Sequence, residues 1–97
     1  MSKKYSGKSK STKLFISLAK RSFDANWKYL QSMYGEQVRD IPNDIELLSP
    51  LIISIIGHVG ENFEMFIEKE GKKGCLNEVN IETVAEALVE HSARFRV

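Results

Sequence analysis

The 97-residue sequence contains a single cysteine, Cys75, and only two histidines, His58 and His91. One cysteine excludes a disulfide within the chain, and one Cys with two His cannot complete a closed zinc site. A lone thiol is typical of proteins from a reducing compartment, the cytosol or the nucleus. Phosphate-binding, metalloprotease and nucleophile-elbow motifs are also missing. We therefore predict no cofactor, no metal, no small-molecule substrate and no enzymatic activity.

Acidic residues are absent from the first part of the chain, since the first one is Asp24. Up to Arg21 the chain carries seven basic residues and no acid, and after Arg21 it carries seven basic and 13 acidic residues. We predict that residues 1–11 form a disordered basic tail and residues 12–97 a single helical domain. The tail would contact DNA phosphates without sequence preference, or would serve only to keep the protein soluble.

Long hydrophobic runs are also missing. The longest uncharged stretch, Leu47 to Gly60, has 14 residues, which is too few to span a bilayer. We interpret it as part of a buried helix and expect an intracellular protein without a membrane partner. His58 within this stretch is predicted to be a core or interface residue, whereas His91, close to the C-terminus, is predicted to be solvated.

Apolar residues at helical spacing predict three helices and no strands. The first begins near Ser11 or Thr12 and ends at Gly35, with a possible break at residues 24–26. The second and longest begins near Ser49, with residues 45–48 as a preceding turn, and ends before Gly71. A third follows Asn77. Two glycines within the second helix, Gly57 and Gly60, predict the close approach of another backbone.

The loop Gly71–Ile81 reads GKKGCLNEVNI, and its pattern resembles the second loop of the histone fold. In that family a basic, glycine-containing turn precedes an extended apolar residue, here Leu76, and a polar cap, here Asn77. The segment Asn62–Phe66 is similar to the end of the family's central helix. The Gly71–Gly74 segment also matches the GxxG loop of KH domains, but those need a sheet that this sequence does not predict.

The resemblance to core histones, TBP-associated factors and CENP-type kinetochore subunits implies a fold of short, long and short helices. It further implies heterodimerisation with a histone-fold partner in a nuclear chromatin, transcription or kinetochore assembly. The alternative is a cytoplasmic homodimeric helical bundle of bacterial or phage origin that acts as an adaptor, inhibitor or chaperone. The predicted dimer interface consists of Leu51, Ile52, Ile55, Ile56, Val59, Phe63, Phe66 and Leu76. The predicted DNA contacts are Lys3, Lys4, Lys8, Lys10, Lys13, Lys20, Arg21, Arg39, Lys72 and Lys73.

Overall fold

The computed structural model of the chain describes residues 9–96, and in that range all regular structure is helical. Three α-helices, α1 (Lys10–Tyr34), α2 (Ile45–Lys69) and α3 (Ile81–Ser92), alternate with short 3-10 helices. The 3-10 helices span Gly35–Asn43, Leu76–Glu78 and Ala93–Phe95. The predicted all-α class is confirmed. The helix lengths, 25, 25 and 12 residues, run long, long and short instead of short, long and short.

Helix α1 begins where Ser9 caps it, because the Ser9 hydroxyl accepts a hydrogen bond from the Thr12 amide at 3.1 Å. Lys10 and Ser11 therefore belong to the helix, and the predicted tail boundary at residue 11 lies too late. No break occurs at residues 24–26, where α1 is continuous and the Asn26 amide group donates to the Ser22 carbonyl one turn earlier at 2.8 Å. Gly35 ends the helix with a φ of 62°.

Helix α2 begins at Ile45, four residues earlier than predicted. Asp44 caps it, since its carboxylate accepts from the Glu46 amide at 2.9 Å. Pro50 lies inside the helix and cannot donate to the carbonyl four residues before it. The helix nevertheless continues, because its inward side chains supply tertiary packing. The buried residues of α2 are Leu48, Ile52, Ile55, Val59, Phe63 and Ile67.

Helix α3 runs in the same direction as α1. Near their beginnings the Asn80 amide donates to the Thr12 hydroxyl at 3.0 Å, and near the end of α3 His91 bonds to Asp24 at 2.7 Å. Val84 and Leu88 on the inner face of α3 are fully buried. The three helices therefore share one core, to which α1 contributes the large aromatic residues Phe15 and Phe23.

This core already covers the inner face of α2, to which most of the predicted dimer interface belongs. Ile52, Ile55, Val59 and Phe63, four of the predicted interface residues, are between 1 and 4% exposed within the single chain. They pack against the chain's own helices, as the Phe15–Phe63 ring separation of 5.4 Å shows for one pair. Their burial does not support a place in a dimer interface. The other predicted interface residues Leu51, Ile56 and Phe66 are half-buried, and Leu76 is exposed.

The two glycines of α2 do not mark the close approach of another backbone within the chain. A Cβ added at Gly57 would meet nothing within 4 Å, and one added at Gly60 would reach only the Phe15 ring at 4.0 Å. Gly57 thus faces open space on the outside of the helix. Within residues 9–96, no helix combines the length and hydropathy needed to cross a membrane.

Candidate nucleic-acid interface

The outer face of α1 carries basic side chains along most of the helix. Lys10, Lys13, Lys20, Arg21 and Lys28 are all exposed and are separated by steps that keep them within about a third of the helix circumference. The buried apolar residues occupy the inner face of the helix, so the basic side chains point into solvent. At 1.5 Å per residue the row is about 27 Å long. We call these five residues the basic face.

The three α-helices differ in charge. Helix α1 holds five basic residues and one acid, Asp24. Helix α2 holds four glutamates and one lysine, and α3 holds three glutamates and no Lys or Arg. A net charge of only +1 for the whole chain therefore conceals a strongly positive α1 beside two negative helices. Such a separation favours the approach of an anion from the α1 side.

Arg21 is partly neutralised at one edge of the basic face. Its guanidinium donates to the Glu70 carboxylate at 2.7 Å, and Lys72 lies 3.5 Å from the same carboxylate. The hydrogen bond from Arg21, aided by the charges of Arg21 and Lys72, lowers the pKa of Glu70. The pair is surface-exposed, so it orients Arg21 more than it stabilises the fold.

The four lysines of the basic face, Lys10, Lys13, Lys20 and Lys28, form no ion pair with any carboxylate in the described part of the chain. Their ammonium groups are open to solvent and mobile counterions, and the acids nearest to Lys20 are Asp24, one helical turn away, and Glu90, which lines the same hollow. Release of such counterions is what drives the binding of basic proteins to nucleic-acid phosphates.

The structure brings together four of the predicted DNA contacts along α1, namely Lys10, Lys13, Lys20 and Arg21, and Lys72 meets Arg21 at the Glu70 carboxylate. Arg39 lies apart, on the 3-10 helix after α1, where it bonds to Glu36 at 3.2 Å. Lys72 and Lys73 lie in the loop after α2. Lys3, Lys4 and Lys8 are outside the described residues.

Lys28 was missed by the sequence analysis. It follows Arg21 by seven residues, or two helical turns, and therefore lies on the same face of α1. Also missed were Arg94 and Arg96, both exposed at the C-terminal end. Only the fold shows that these two follow α3 to the same end of the molecule as the C-terminal half of α1, because α3 runs alongside α1.

The beginning of α1 is held by hydroxyl groups against the segment before α3. The Ser9 hydroxyl donates to the Glu78 carbonyl at 2.9 Å, and the buried Ser11 hydroxyl donates to the Glu78 carboxylate at 3.1 Å. The Cys75 amide in turn donates to the Ser11 hydroxyl at 2.9 Å. These bonds fix the orientation of Lys10 and Lys13, whose backbone would otherwise lie at a fraying helix end.

The prediction that His91 is solvated is wrong, and His58 is not a core residue of the single chain. His91 is buried, with its Nε2 2.7 Å from the Asp24 carboxylate and the Phe23 ring edge-on at 5.5 Å. His58 is exposed and lies beside the half-buried Phe66, with ring centroids 6.0 Å apart. Position near the C-terminus was misleading for His91, because the last turn of α3 packs against α1.

Catalytic or metal-binding arrangements do not emerge in the described part of the chain. Residues 9–96 contain no cluster of three or more His, Cys, Asp or Glu side chains able to hold a metal ion. Cys75 is partly buried beside Gly60, Met65 and Leu76, with no histidine lining that hollow. The side chains of the basic face can bind anions by charge and hydrogen bonding, but none is positioned as a general base or nucleophile.

Comparison of the sequence with protein-family models, with curated proteins and with solved structures found no match in any of the three.

Proposed function

We propose that this protein is a non-enzymatic nucleic-acid-binding protein that contacts the phosphate backbone through the basic face of α1. The observation that carries the proposal is the row of four exposed lysines that form no ion pair within residues 9–96, together with Arg21 beside them. Phosphate contacts of this kind depend on charge and do not read sequence. Lys3, Lys4 and Lys8, which precede Ser9 in the chain, would add positive charge for such contacts.

The position of the lysines argues that they serve binding and not stability. Lys10 and Lys13 lie in the first turn of α1, which contains no acidic residue. The first turn is the positive end of the helix dipole, so a lysine there costs stability, by roughly 0.3–1 kcal/mol. The Glu78 carboxylate on Ser11 offsets part of this cost. For an anionic ligand the same arrangement is favourable, since helix amides and lysines both attract phosphate.

The acidic helices support one orientation on the nucleic acid. Glu82, Glu86 and Glu90 recur every four residues along α3 and are all exposed. Together with the glutamates of α2 they would repel phosphates from those sides. The protein would therefore approach a polyanion with α1 first, and its low net charge would not prevent binding.

The proposal is tested by replacing Lys13 and Lys20 with glutamine and measuring the affinity for duplex DNA at several salt concentrations. Each lost phosphate contact reduces the slope of log K against log salt by about 0.9, so the double variant should lose nearly two units of slope. The control is Arg39→Gln, which removes an exposed cation that lies apart from the basic face, where it bonds to Glu36, and which should leave the slope unchanged. Equal slopes for wild type and the double variant would contradict the proposal.

A protein partner is a second proposal, favoured by apolar side chains on the outside of α2. Ile53 is 69% exposed, and Ile45, Leu47 and Met65 are about half exposed. The resemblance to histone-fold subunits suggests a heterodimeric partner in a nuclear assembly, and the exposed Leu76 belongs to the same group of candidates. Light scattering of the purified chain tests the alternative of a homodimer. A stable dimer mass would favour self-association, and a monomer mass would leave the heterodimer as the form to seek.

A further inference from the structure

The C-terminal 3-10 helix places an aromatic ring over the inner face of α1. Phe95 lies with its ring centroid 5.1 Å from Trp27 and 5.7 Å from Phe23. Phe23 and Trp27, one helical turn apart, are themselves nearly parallel, with an interplanar angle of 12°. Phe95 is half-buried, whereas the other two rings are almost completely covered. The outermost ring of this aromatic cluster is therefore available to a ligand.

Phe95 and Trp27 form a wall shared by two hollows. One hollow, of about 410 Å³, is lined by Asp24, Trp27, Lys28, Gln31, Arg94 and Phe95. The other, of about 450 Å³, adds Gly35, Glu36 and Arg39 to the same Trp27, Gln31 and Phe95. Both volumes lie in the range of sites that hold small organic groups.

The first hollow joins the basic face, because Lys28 belongs to both. Lys28 and Arg94 form no ion pair within residues 9–96, whereas the acid beside them, Asp24, is bonded to His91. In the second hollow Arg39 is paired with Glu36. The first hollow thus combines an aromatic wall, an exposed amide side chain from Gln31 and two cations free to meet a phosphate.

We infer that this hollow binds a base of single-stranded nucleic acid, so that the protein prefers a single strand to a duplex. The inference rests on the proposed function of the basic face. Lys28 and Arg94 would hold the phosphates on either side of the base while its ring stacks on Phe95 and its edge bonds to Gln31. A duplex cannot supply that base without unpairing and unstacking, which costs free energy.

The test compares the binding of oligothymidylate with that of a duplex of equal length at low salt. Trp27 is the only tryptophan, so its fluorescence reports directly on the hollow. We expect tighter binding of the single strand and a change in Trp27 emission with the single strand only. Phe95→Leu, which keeps an apolar side chain over Phe23 and Trp27, should weaken single-strand binding about fivefold or more. It should leave the salt slope and the duplex affinity unchanged.

The matched control is Phe66→Leu, which alters another half-buried phenylalanine, on α2 and outside this hollow. Circular dichroism of both variants establishes that the helices are intact. Equal affinity for single strand and duplex, or single-strand binding by Phe95→Leu as tight as that of wild type, would overturn this inference and leave the basic face standing. Failure of the wild-type protein to bind either nucleic acid would overturn the inference and the proposed function together.

Discussion

Helices α1 and α2 have the same length, 25 residues, and bury one face each in the same core, yet their outer faces have little in common. The outer face of α1 carries basic side chains from Lys10 to Lys28. The outer face of α2 carries glutamates, exposed apolar side chains such as Ile53, and Gly57 over open space. The inner faces are similar because both must fill one core. The outer faces do not have to fill a core. The difference between them therefore points to the surface that binds a ligand or partner.

The largest effect on stability is expected from disrupting the core that the inner faces of α1 and α2 share. Phe63→Ala removes a ring that is 1% exposed and lies 5.4 Å from Phe15. It should lower the free energy of unfolding by about 3–5 kcal/mol, measured by urea denaturation. Ile53→Ala on the outer face of the same helix is the control and should change it by no more than about 0.5 kcal/mol. Comparable losses for both variants would mean that the outer face of α2 is covered.

A smaller effect on stability is expected from replacing glycines on the outer face of α2 and at its C-terminal end. Gly57→Ala should raise the free energy of unfolding by about 0.5–1 kcal/mol, because alanine favours the helix and a Cβ there meets nothing within 4 Å. Gly71→Ala should lower it by about 1–2 kcal/mol, since Gly71 has a φ of 71° at the end of α2. Thermal melts of the two variants measure both changes in stability. Destabilisation by Gly57→Ala would reveal a partner helix seated against that position.

The smallest effect on stability is expected from removing the ion pair between Arg21 and Glu70. The pKa of Glu70 is lowered from its ordinary value of 4.5, chiefly by the hydrogen bond from Arg21. A lowered carboxyl pKa contributes stability above the unfolded-state pKa, and this contribution disappears as the pH falls through the folded-state pKa. Glu70→Gln should therefore be slightly less stable than wild type at neutral pH and equal to it in strong acid.

Urea denaturation at the two pH values measures this difference, with Glu64→Gln as the control, since Glu64 is exposed and unpaired among residues 9–96. A difference between Glu70→Gln and wild type that persists in acid would contradict the assigned cause of the pKa shift.

The helical class and the inward side chains could be predicted from the sequence, because apolar spacing follows directly from helix geometry. Phe15, Ala19, Phe23 and Trp27, separated by four residues each, are all buried, whereas Tyr34, at the end of the same apolar spacing, is 53% exposed. The beginning of α2 could not be predicted as well. Pro50 indicated a later start, but packing of the inner face keeps the helix regular from Ile45. Tertiary contacts override local propensity in such cases.

The candidate site was predictable only in part, and for a physical reason. Lys13, Lys20 and Arg21 stood out as a run of one charge, which is visible along the chain. Arg94 and Phe95 are more than 70 positions from them in sequence and reach the C-terminal half of α1 only through the packing of α3. The burial of His91 depends on the same packing. Residue spacing within α1 or within α3 does not show which residues of α3 will contact α1.

The most direct test of the account is the chemical acetylation of lysines in the presence and absence of nucleic acid, read by mass spectrometry. Lys10, Lys13, Lys20 and Lys28 on the outer face of α1 should be protected when oligothymidylate is bound, and they should react as in the free protein at a salt concentration that releases the oligonucleotide. Salt-reversible protection of these four lysines is the predicted result. Unchanged reactivity of all four in the oligothymidylate complex would contradict it, because the polyanion would then not lie on α1.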